Sequence, residues 1–394
     1  MKPGYQHTVY AAYLGYITQA IVNNLAPLLF LIFRDSLGIP LSQVTLLITV
    51  NFGVQLTVDL LSAKIVDKIG YRRCIVAAHL LAAAGLIAMA LLPSVLPHPF
   101  AGLLLASLLY AVGGGIIEVL ISPIVEACPT DNKAAAMSLL HSFYCWGTVG
   151  VIAISTVLLH LIGKAHWQVL PLLWAVLPLC NAFFFTKVPI NTLTEEGKST
   201  PPRSLLKNKY FWIFIVLMVA AGASEQAMSQ WASAFAESGL GISKTAGDLA
   251  GPCLFSVLMG IARVVSARCS EKIHVSVLLS GSAVLCIGAY LLAALCANPV
   301  LALCGCALCG FSVGCMWPGT FSLASERFPQ GGTGLFALLA LAGDLGCMGG
   351  PTLVGEIAGA HGDRLSAGLL PALLFPVLML LFSLPMRRSK SGRL

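Results

Sequence analysis

The chain has 394 residues, of which 58% are hydrophobic and only 10% are charged, and its formal net charge is +7. A soluble chain is about a quarter charged, so these few charges cannot cover the surface of a soluble protein of this length. The composition therefore excludes a soluble enzyme, a nucleic-acid-binding protein and a disordered chain. It predicts a polytopic membrane protein that is surrounded by the lipid bilayer.

Twelve long apolar stretches follow one another along the chain, each near the roughly 20 residues that a bilayer-spanning helix needs. Polar or turn-rich segments such as Asp67–Arg73 and Pro129–Lys133 separate them. We predict spans at 9–33, 43–64, 74–94, 100–127, 134–162, 167–187, 209–236, 246–267, 275–296, 299–325, 333–358 and 365–386. The predicted fold class is an all-α membrane protein with twelve transmembrane helices.

The longest polar stretch, 188–208, divides the spans into six and six. We interpret it as a cytoplasmic linker between an N-terminal six-helix bundle, 1–187, and a C-terminal six-helix bundle, 209–394. With the N-terminus in the cytoplasm, 18 Lys and Arg residues fall on the cytoplasmic side and 4 on the outer side. This bias satisfies the positive-inside rule and predicts an inner-membrane protein with both termini in the cytoplasm.

The two halves of the chain resemble each other. The segment Ser62–Ile69 recurs as Ser266–Ile273 at an offset of 204, and Gly38-Ile39 recurs as Gly241-Ile242 at an offset of 203. A third match, Gly114 with Gly314, follows in the same order. Parallel halves of six spans are a known transporter architecture, with the solute site between them near the midplane of the bilayer.

Three segments carry a family resemblance. The segment Asp67–Arg73 resembles the loop signature of the major facilitator superfamily. Glu118 followed by Pro123, and the segment Pro318–Ala324, resemble elements of the fucose permease-like sugar symporters. The resemblance implies secondary active transport of a small polar solute, a sugar, by cation symport with alternating access. That family carries an acid after its Asn-Asn-Leu, whereas Asn23-Asn24-Leu25 is followed here by Ala26-Pro27, so only Glu118 is carried over directly.

Ionisable residues inside spans are costly and usually face a cavity or the interior of the bundle. Glu118 of span four and His141 of span five lie at similar depth, roughly 10–14 Å from the inner ends of their helices at 1.5 Å per residue. Asp344 lies near the middle of span eleven between Gly343 and Gly346. We interpret Glu118, His141 and Asp344 as proton-coupling candidates; the alternative is buried groups that fix helix packing.

Carboxamides both donate and accept hydrogen bonds and therefore suit sugar hydroxyls. Gln19 and Asn23 are one helical turn apart in span one, and Gln226 and Gln230 repeat that spacing at the equivalent place in span seven. The predicted solute-binding residues are Gln19, Asn23, Asn24, Glu225, Gln226, Gln230, Trp231 and Trp317. The alternative reading is that the amides cross-link helices and that the tryptophans pack in the core.

Charged residues near the inner ends of the helices are gate candidates. Asp59 and Arg263 occupy equivalent repeat positions, 204 residues apart. These opposite charges allow two interpretations. Asp59 and Arg263 form an ion pair between the halves, or each finds its partners within its own bundle. With the loop charges, the predicted gate residues are Asp59, Asp67, Arg72, Arg263 and Glu271.

No metal-binding, nucleotide-binding or nucleophile motif is visible, so we expect no cofactor and no enzymatic activity. Most of the 13 Cys lie inside apolar runs, where we interpret them as packing residues. The coupling cation is predicted to be H⁺, with Na⁺ as the alternative, and the protein to be a monomer. Two other functions stay open: proton-coupled efflux of an amphipathic compound, and a membrane receptor without transport.

Overall fold

The computed structural model describes residues 4–129, 133–191, 202–269, 273–328 and 331–388. Twelve helices in this part of the chain are long and apolar enough to cross a membrane, and no strand occurs among the described residues. The predicted all-α fold class with twelve spans is confirmed. The first helix, Tyr5–Leu37, extends at both ends beyond the predicted 9–33, because backbone hydrogen bonding continues into polar ends that an apolar pattern does not detect. The sixth helix, Val169–Lys187, lies within its predicted span.

The chain divides into two compact units, Met1–Glu195 and Glu196–Leu394, each with six of the spans. The helices of the first unit are α1 Tyr5–Leu37, α2 Leu41–Ile69, α3 Tyr71–Val95, α4 Pro99–Glu126, α5 Lys133–Ile162 and α6 Val169–Lys187. Residues 192–201 of the predicted linker lie outside the described residues, and Pro202–Leu206 forms a short helix within it.

The spans of the second unit are more often interrupted than those of the first. They are α7 Lys209–Gly239, α8 Lys244–Ser266, α9 Val275–Leu295, α10 Pro299–Ala324, α11 Ala337–Ala360 and α12 Leu365–Met386. The α-helix of α7 ends at Ser229, and the span finishes in a π-helical turn, Phe235–Gly239. A second π-helical turn, Leu249–Cys253, lies near the start of α8. Such turns often occur at functional sites.

The repeat-related helices α1 and α7 are the most enclosed spans of their units. Of the most apolar stretch of α1, 94% is buried within the protein, and the corresponding share for α7 is 72%; the other spans range from 33% to 61%. The predicted solute-binding amides all lie on these two helices. Their polar side chains are therefore held inside the protein and not against lipid.

Glycines set the closest helix contacts of the second unit. An alanine Cβ at Gly346 of α11 would lie 2.1 Å from the Val219 carbonyl oxygen of α7, and one at Gly222 would lie 2.2 Å from the Gly343 carbonyl oxygen. Only a residue without a side chain permits these backbones to touch. Gly70 has a different role. It lies between the end of α2 and the start of α3, within the segment Asp67–Arg73, and its φ of +93° is one that glycine adopts readily.

Candidate functional site

A chain of side-chain amides connects three helices of the first unit. Asn51 Nδ2 and Gln55 Nε2 of α2 both donate to Asn23 Oδ1 of α1, at 3.1 and 3.0 Å. Gln19 Nε2, one turn before Asn23, donates to Gln55 Oε1 at 2.8 Å and to Glu118 Oε2 of α4 at 2.9 Å. The acid that the family resemblance singles out is thus joined directly to the predicted solute-binding amides. We call Gln19, Asn23, Asn51, Gln55 and Glu118 the amide network.

Two glycines of α4 allow the network to form. A Cβ at Gly114 would lie 3.0 Å from Gln19 Oε1, and one at Gly115 would lie 3.1 Å from the Cα of Gln55. A side chain at either position would have to displace these neighbours by a few tenths of an ångström. The four amide side chains are buried, and Gln19 Oε1 and Asn51 Oδ1 have no hydrogen-bond partner among the described residues.

Tyr16 connects the region of Glu118 to His141. Its hydroxyl lies 2.9 Å from the Ser122 hydroxyl, one turn beyond Glu118 on α4. Its ring is 5.1 Å from the His141 imidazole of α5, measured between centroids. The two predicted coupling residues therefore lie on helices that meet at the same tyrosine of α1.

Asn24 faces a different helix from its neighbour Asn23. Its Nδ2 donates to the Ala20 carbonyl oxygen at 2.9 Å and lies 3.3 Å from Thr148 Oγ1 and 3.5 Å from Tyr144 Oη. Consecutive residues of a helix point about 100° apart. Asn24 is accordingly placed to hold α5 against α1, while Asn23 belongs to the amide network.

The second unit carries its own polar strip on α7. Gln230 Nε2 donates to Gln226 Oε1 at 2.9 Å, and Gln226 Nε2 donates to Glu225 Oε1 at 3.2 Å. The other carboxylate oxygen of Glu225 lies 3.9 Å from Nη2 of Arg263 on α8. The strip therefore ends in an ion pair that lies entirely within the second unit.

The predicted tryptophans pack against α11. Trp231 is fully buried, and its indole N–H donates to the Pro351 carbonyl oxygen at 2.9 Å. A Cβ at Gly343 would lie 2.2 Å from the Trp317 ring, so this ring rests on the backbone next to the buried Asp344. The indole nitrogen of Trp231 is already used within the protein, whereas Trp317 is only partly buried.

Among the predicted gate residues, Arg72 has a clear structural contact. Its guanidinium donates to the carbonyl oxygens of Phe185 and Val188, both at 2.8 Å, and so caps the end of α6, where carbonyls lack helical partners. Asp59 is buried on α2, one turn beyond Gln55. The side chain of Asp67 and the whole of Glu271 lie outside the described residues.

Sequence reasoning missed several buried polar groups. Asn51 and Gln55 precede Asp59 at steps of four residues, a helical spacing that could have revealed one polar face of α2. At the start of α8, Lys244 Nζ lies 3.0 Å from the Asp248 carboxylate and donates to Ser233 Oγ of α7 at 3.1 Å. Asp248 had a signal too, since it is an acid inside a predicted span.

A second missed cluster involves three helices of the first unit. His79 of α3 is fully buried. Its Nδ1 lies 2.8 Å from the Ile75 carbonyl oxygen, and its Nε2 lies 2.9 Å from Asn181 Nδ2 of α6. Asn181 also donates to the Ala11 carbonyl oxygen of α1 at 3.0 Å. This cluster anchors the half of α1 that precedes the amide network.

The protein has two units of six spans each, and charged and amide side chains are buried inside them. This combination is characteristic of a membrane transporter. Residues 12–351 match the family model of the Major Facilitator Superfamily, and the chain belongs to that family. It is a multi-pass membrane protein, and its family indicates transport and not catalysis.

Solved structures share the fold. A crystal structure of a variant of the E. coli fucose:proton symporter FucP is similar with a TM-score of 0.69 and 16% identity, over 98% of this chain and 100% of that one. A crystal structure of FucP in the outward conformation is similar with a TM-score of 0.67 and 16% identity, over 97% and 99% of the two chains. No curated protein sequence matches the chain significantly.

Proposed function

We propose that this protein is a secondary active transporter that moves a small polar solute, a sugar, together with a proton by alternating access. The observation that carries the proposal is the hydrogen bond from Gln19 to Glu118, which joins a carboxyl group inside a span to buried amides. The fold of a fucose:proton symporter supports the same class of solute and cation. The basic residues support an inner-membrane orientation with both termini in the cytoplasm.

Glu118 suits the role of proton carrier because a carboxyl group inside a membrane can hold a proton as a neutral group. Gln19 donates to its Oε2 and also to Gln55. Protonation of Glu118 therefore weakens the hydrogen bond that it accepts from Gln19, because a charged acceptor bonds more strongly than a neutral one. His141 is the proposed second member of the proton path, through the Tyr16 contact, and Asp344 is a third candidate on α11.

The amides are the proposed solute-binding groups. A sugar hydroxyl both donates and accepts, as a carboxamide does. Gln19 Oε1 and Asn51 Oδ1 are buried oxygens that can accept a hydrogen bond from such a hydroxyl. On α7 the corresponding groups are Gln226 and Gln230, and the partly buried Trp317 offers an apolar ring surface of the kind that packs against a sugar face.

The test uses purified protein in proteoliposomes that enclose a pH dye. A panel of hexoses, deoxyhexoses and amino sugars is added outside, and the internal pH is followed. We expect one sugar class to acidify the lumen, and Glu118→Gln to abolish this acidification while the variant still binds the sugar. The matched control is Glu356→Gln, an exposed acid of α11, which should transport as the parent does.

Other results would replace parts of the proposal. Sugar uptake that depends on external Na⁺ and leaves the pH unchanged would assign sodium coupling. If no sugar changes the internal pH and a pH gradient drives the extrusion of amphipathic dyes, the results would favour efflux. Acidification that persists in Glu118→Gln would remove Glu118 from the coupling mechanism.

A further inference from the structure

Two cysteines of the second unit lie in contact across neighbouring helices. Sγ of Cys286 on α9 and Sγ of Cys309 on α10 are 4.0 Å apart, and both residues are fully buried. The thiol of Cys309 also lies 3.9 Å from the Ser224 carbonyl oxygen of α7. Neither the transport proposal nor the family resemblance gives these thiols a role.

We propose that Cys286 and Cys309 form a binding site for a soft, two-coordinate metal cation of the Cu⁺, Ag⁺ and Hg²⁺ class. Both thiols are free, so both sulfurs can bind one metal atom placed between them. With metal–sulfur bonds of about 2.3 Å, as in zinc thiolates, a linear bridge spans about 4.6 Å. The two sulfurs need to separate by only about 0.6 Å on that geometry.

The choice of a two-coordinate cation follows from the surroundings. Structural zinc takes four ligands, but no group of three or more His, Cys, Asp or Glu in the described parts of the chain is placed to hold a metal ion. Thiolates select soft metals over hard ones. With HgCl₂, two S–H bonds and two mercury–chlorine bonds break, two mercury–sulfur bonds form, and two protons and two chloride ions leave. The mercury product is neutral, which suits a buried apolar site, whereas the product with Cu⁺ or Ag⁺ carries one negative charge.

An occupied site would act on the helix that carries the polar strip. Metal binding removes the S–H proton that Cys309 directs at the Ser224 carbonyl, while the hydroxyl of Tyr290 still donates to the same oxygen at 2.8 Å. Ser224 immediately precedes Glu225 and Gln226. The metal would also tie α9 to α10, so we expect Hg²⁺ to raise the thermal unfolding temperature of the purified protein.

The test counts bound mercury on the full-length protein. Accessible thiols, such as the exposed Cys180 and Cys304, are first blocked with N-ethylmaleimide, and HgCl₂ is then added as the neutral chloride. We expect one tightly bound mercury with two sulfur neighbours by X-ray absorption. Loss of either ligand by Cys286→Ala or Cys309→Ala should weaken binding by at least about 100-fold, since even supporting groups of metal sites are worth 10–100-fold.

The matched control is Cys145→Ala, a fully buried cysteine of α5 in the first unit, which should leave binding and the unfolding shift unchanged. Equal binding by the parent and the Cys286→Ala variant would overturn the site. If the variants do not fold, X-ray absorption on the parent protein still tests the site. A single sulfur neighbour around the bound mercury would also overturn the proposed two-cysteine site. None of these readouts depends on the transported solute, so the transport proposal can fail without affecting this one.

Discussion

The ion pair between Glu225 and Arg263 can be tested by removing one charge and then the other. Their side chains are only 10% and 13% exposed, and the closest nitrogen and oxygen atoms are 3.9 Å apart. At an effective dielectric constant of about 20, unit charges at this distance attract by about 4 kcal/mol. Breaking a buried pair on one side costs up to about 3–5 kcal/mol, because the remaining charge loses the opposite charge that it faced. Since Arg263 is only partly buried, this range is the upper bound of the loss in unfolding free energy that we expect for Glu225→Gln.

Removing the second charge should restore much of the loss. In the Glu225→Gln, Arg263→Met double variant no charge remains, and the introduced amide can still accept from Gln226. We expect an interaction energy of about 2–4 kcal/mol between the two sites in a double-mutant cycle. The measurement is denaturant-induced unfolding of purified protein in one fixed detergent, with all four variants compared at the same pH.

A second cycle separates the two readings of Arg263. The internal repeat also makes Asp59 a candidate partner, which would give a charge pair between the halves. If Arg263 pairs only within its own unit, the cycle of Asp59→Asn with Arg263→Met should be additive within about 0.5 kcal/mol. Additivity in the Glu225 cycle, with coupling in the Asp59 cycle, would refute our reasoning and favour the gate.

The remaining predictions concern packing and capping. Gly346→Ala should destabilise the protein by at least about 1–3 kcal/mol, as overpacking of a core does, because the new Cβ would lie 2.1 Å from a carbonyl oxygen. The control is Gly349→Ala, whose Cβ would have nothing within 4 Å. It should be neutral or slightly stabilising. Unfolding temperatures of the two variants give the comparison. Arg72 and Arg73 are both exposed. Arg72→Ala should cost about 0.5–1.5 kcal/mol, the usual worth of a hydrogen bond, because the α6 cap is lost. Arg73→Ala should cost less than about 0.5 kcal/mol, and equal losses would show that the cap contributes nothing.

Much of the fold could be predicted because the bilayer imposes a strong rule on sequence. A helix is one of the few structures that satisfies its backbone hydrogen bonds in hydrocarbon, so each apolar stretch of sufficient length predicts one span. The internal repeat predicted that Asn23 and Gln226 are equivalent. Both residues do lie within the polar networks of their units, on the most enclosed helix of each.

The candidate site could be predicted only in part. Glu118 and Gln19 are 99 residues apart, and no local pattern shows that α4 brings one against the other. The polar face of α2 had a helical spacing, but spacing alone does not say whether Gln55 meets lipid or protein. Trp231 also has a partner that no local pattern indicated, since its indole N–H donates to the Pro351 carbonyl oxygen of α11. Its contact with a solute stays a prediction.

The membrane class, the twelve spans and the residue types that can carry a proton or bond to a hydroxyl could all be predicted, because they follow from local hydropathy and side-chain chemistry. The partners became known from the packed helices alone: Gln19 contacts Glu118, Glu225 contacts Arg263, and Cys286 contacts Cys309. Helix packing decides such pairs, since it depends on which small residues let two helices approach. That information is spread over residues far apart in the chain.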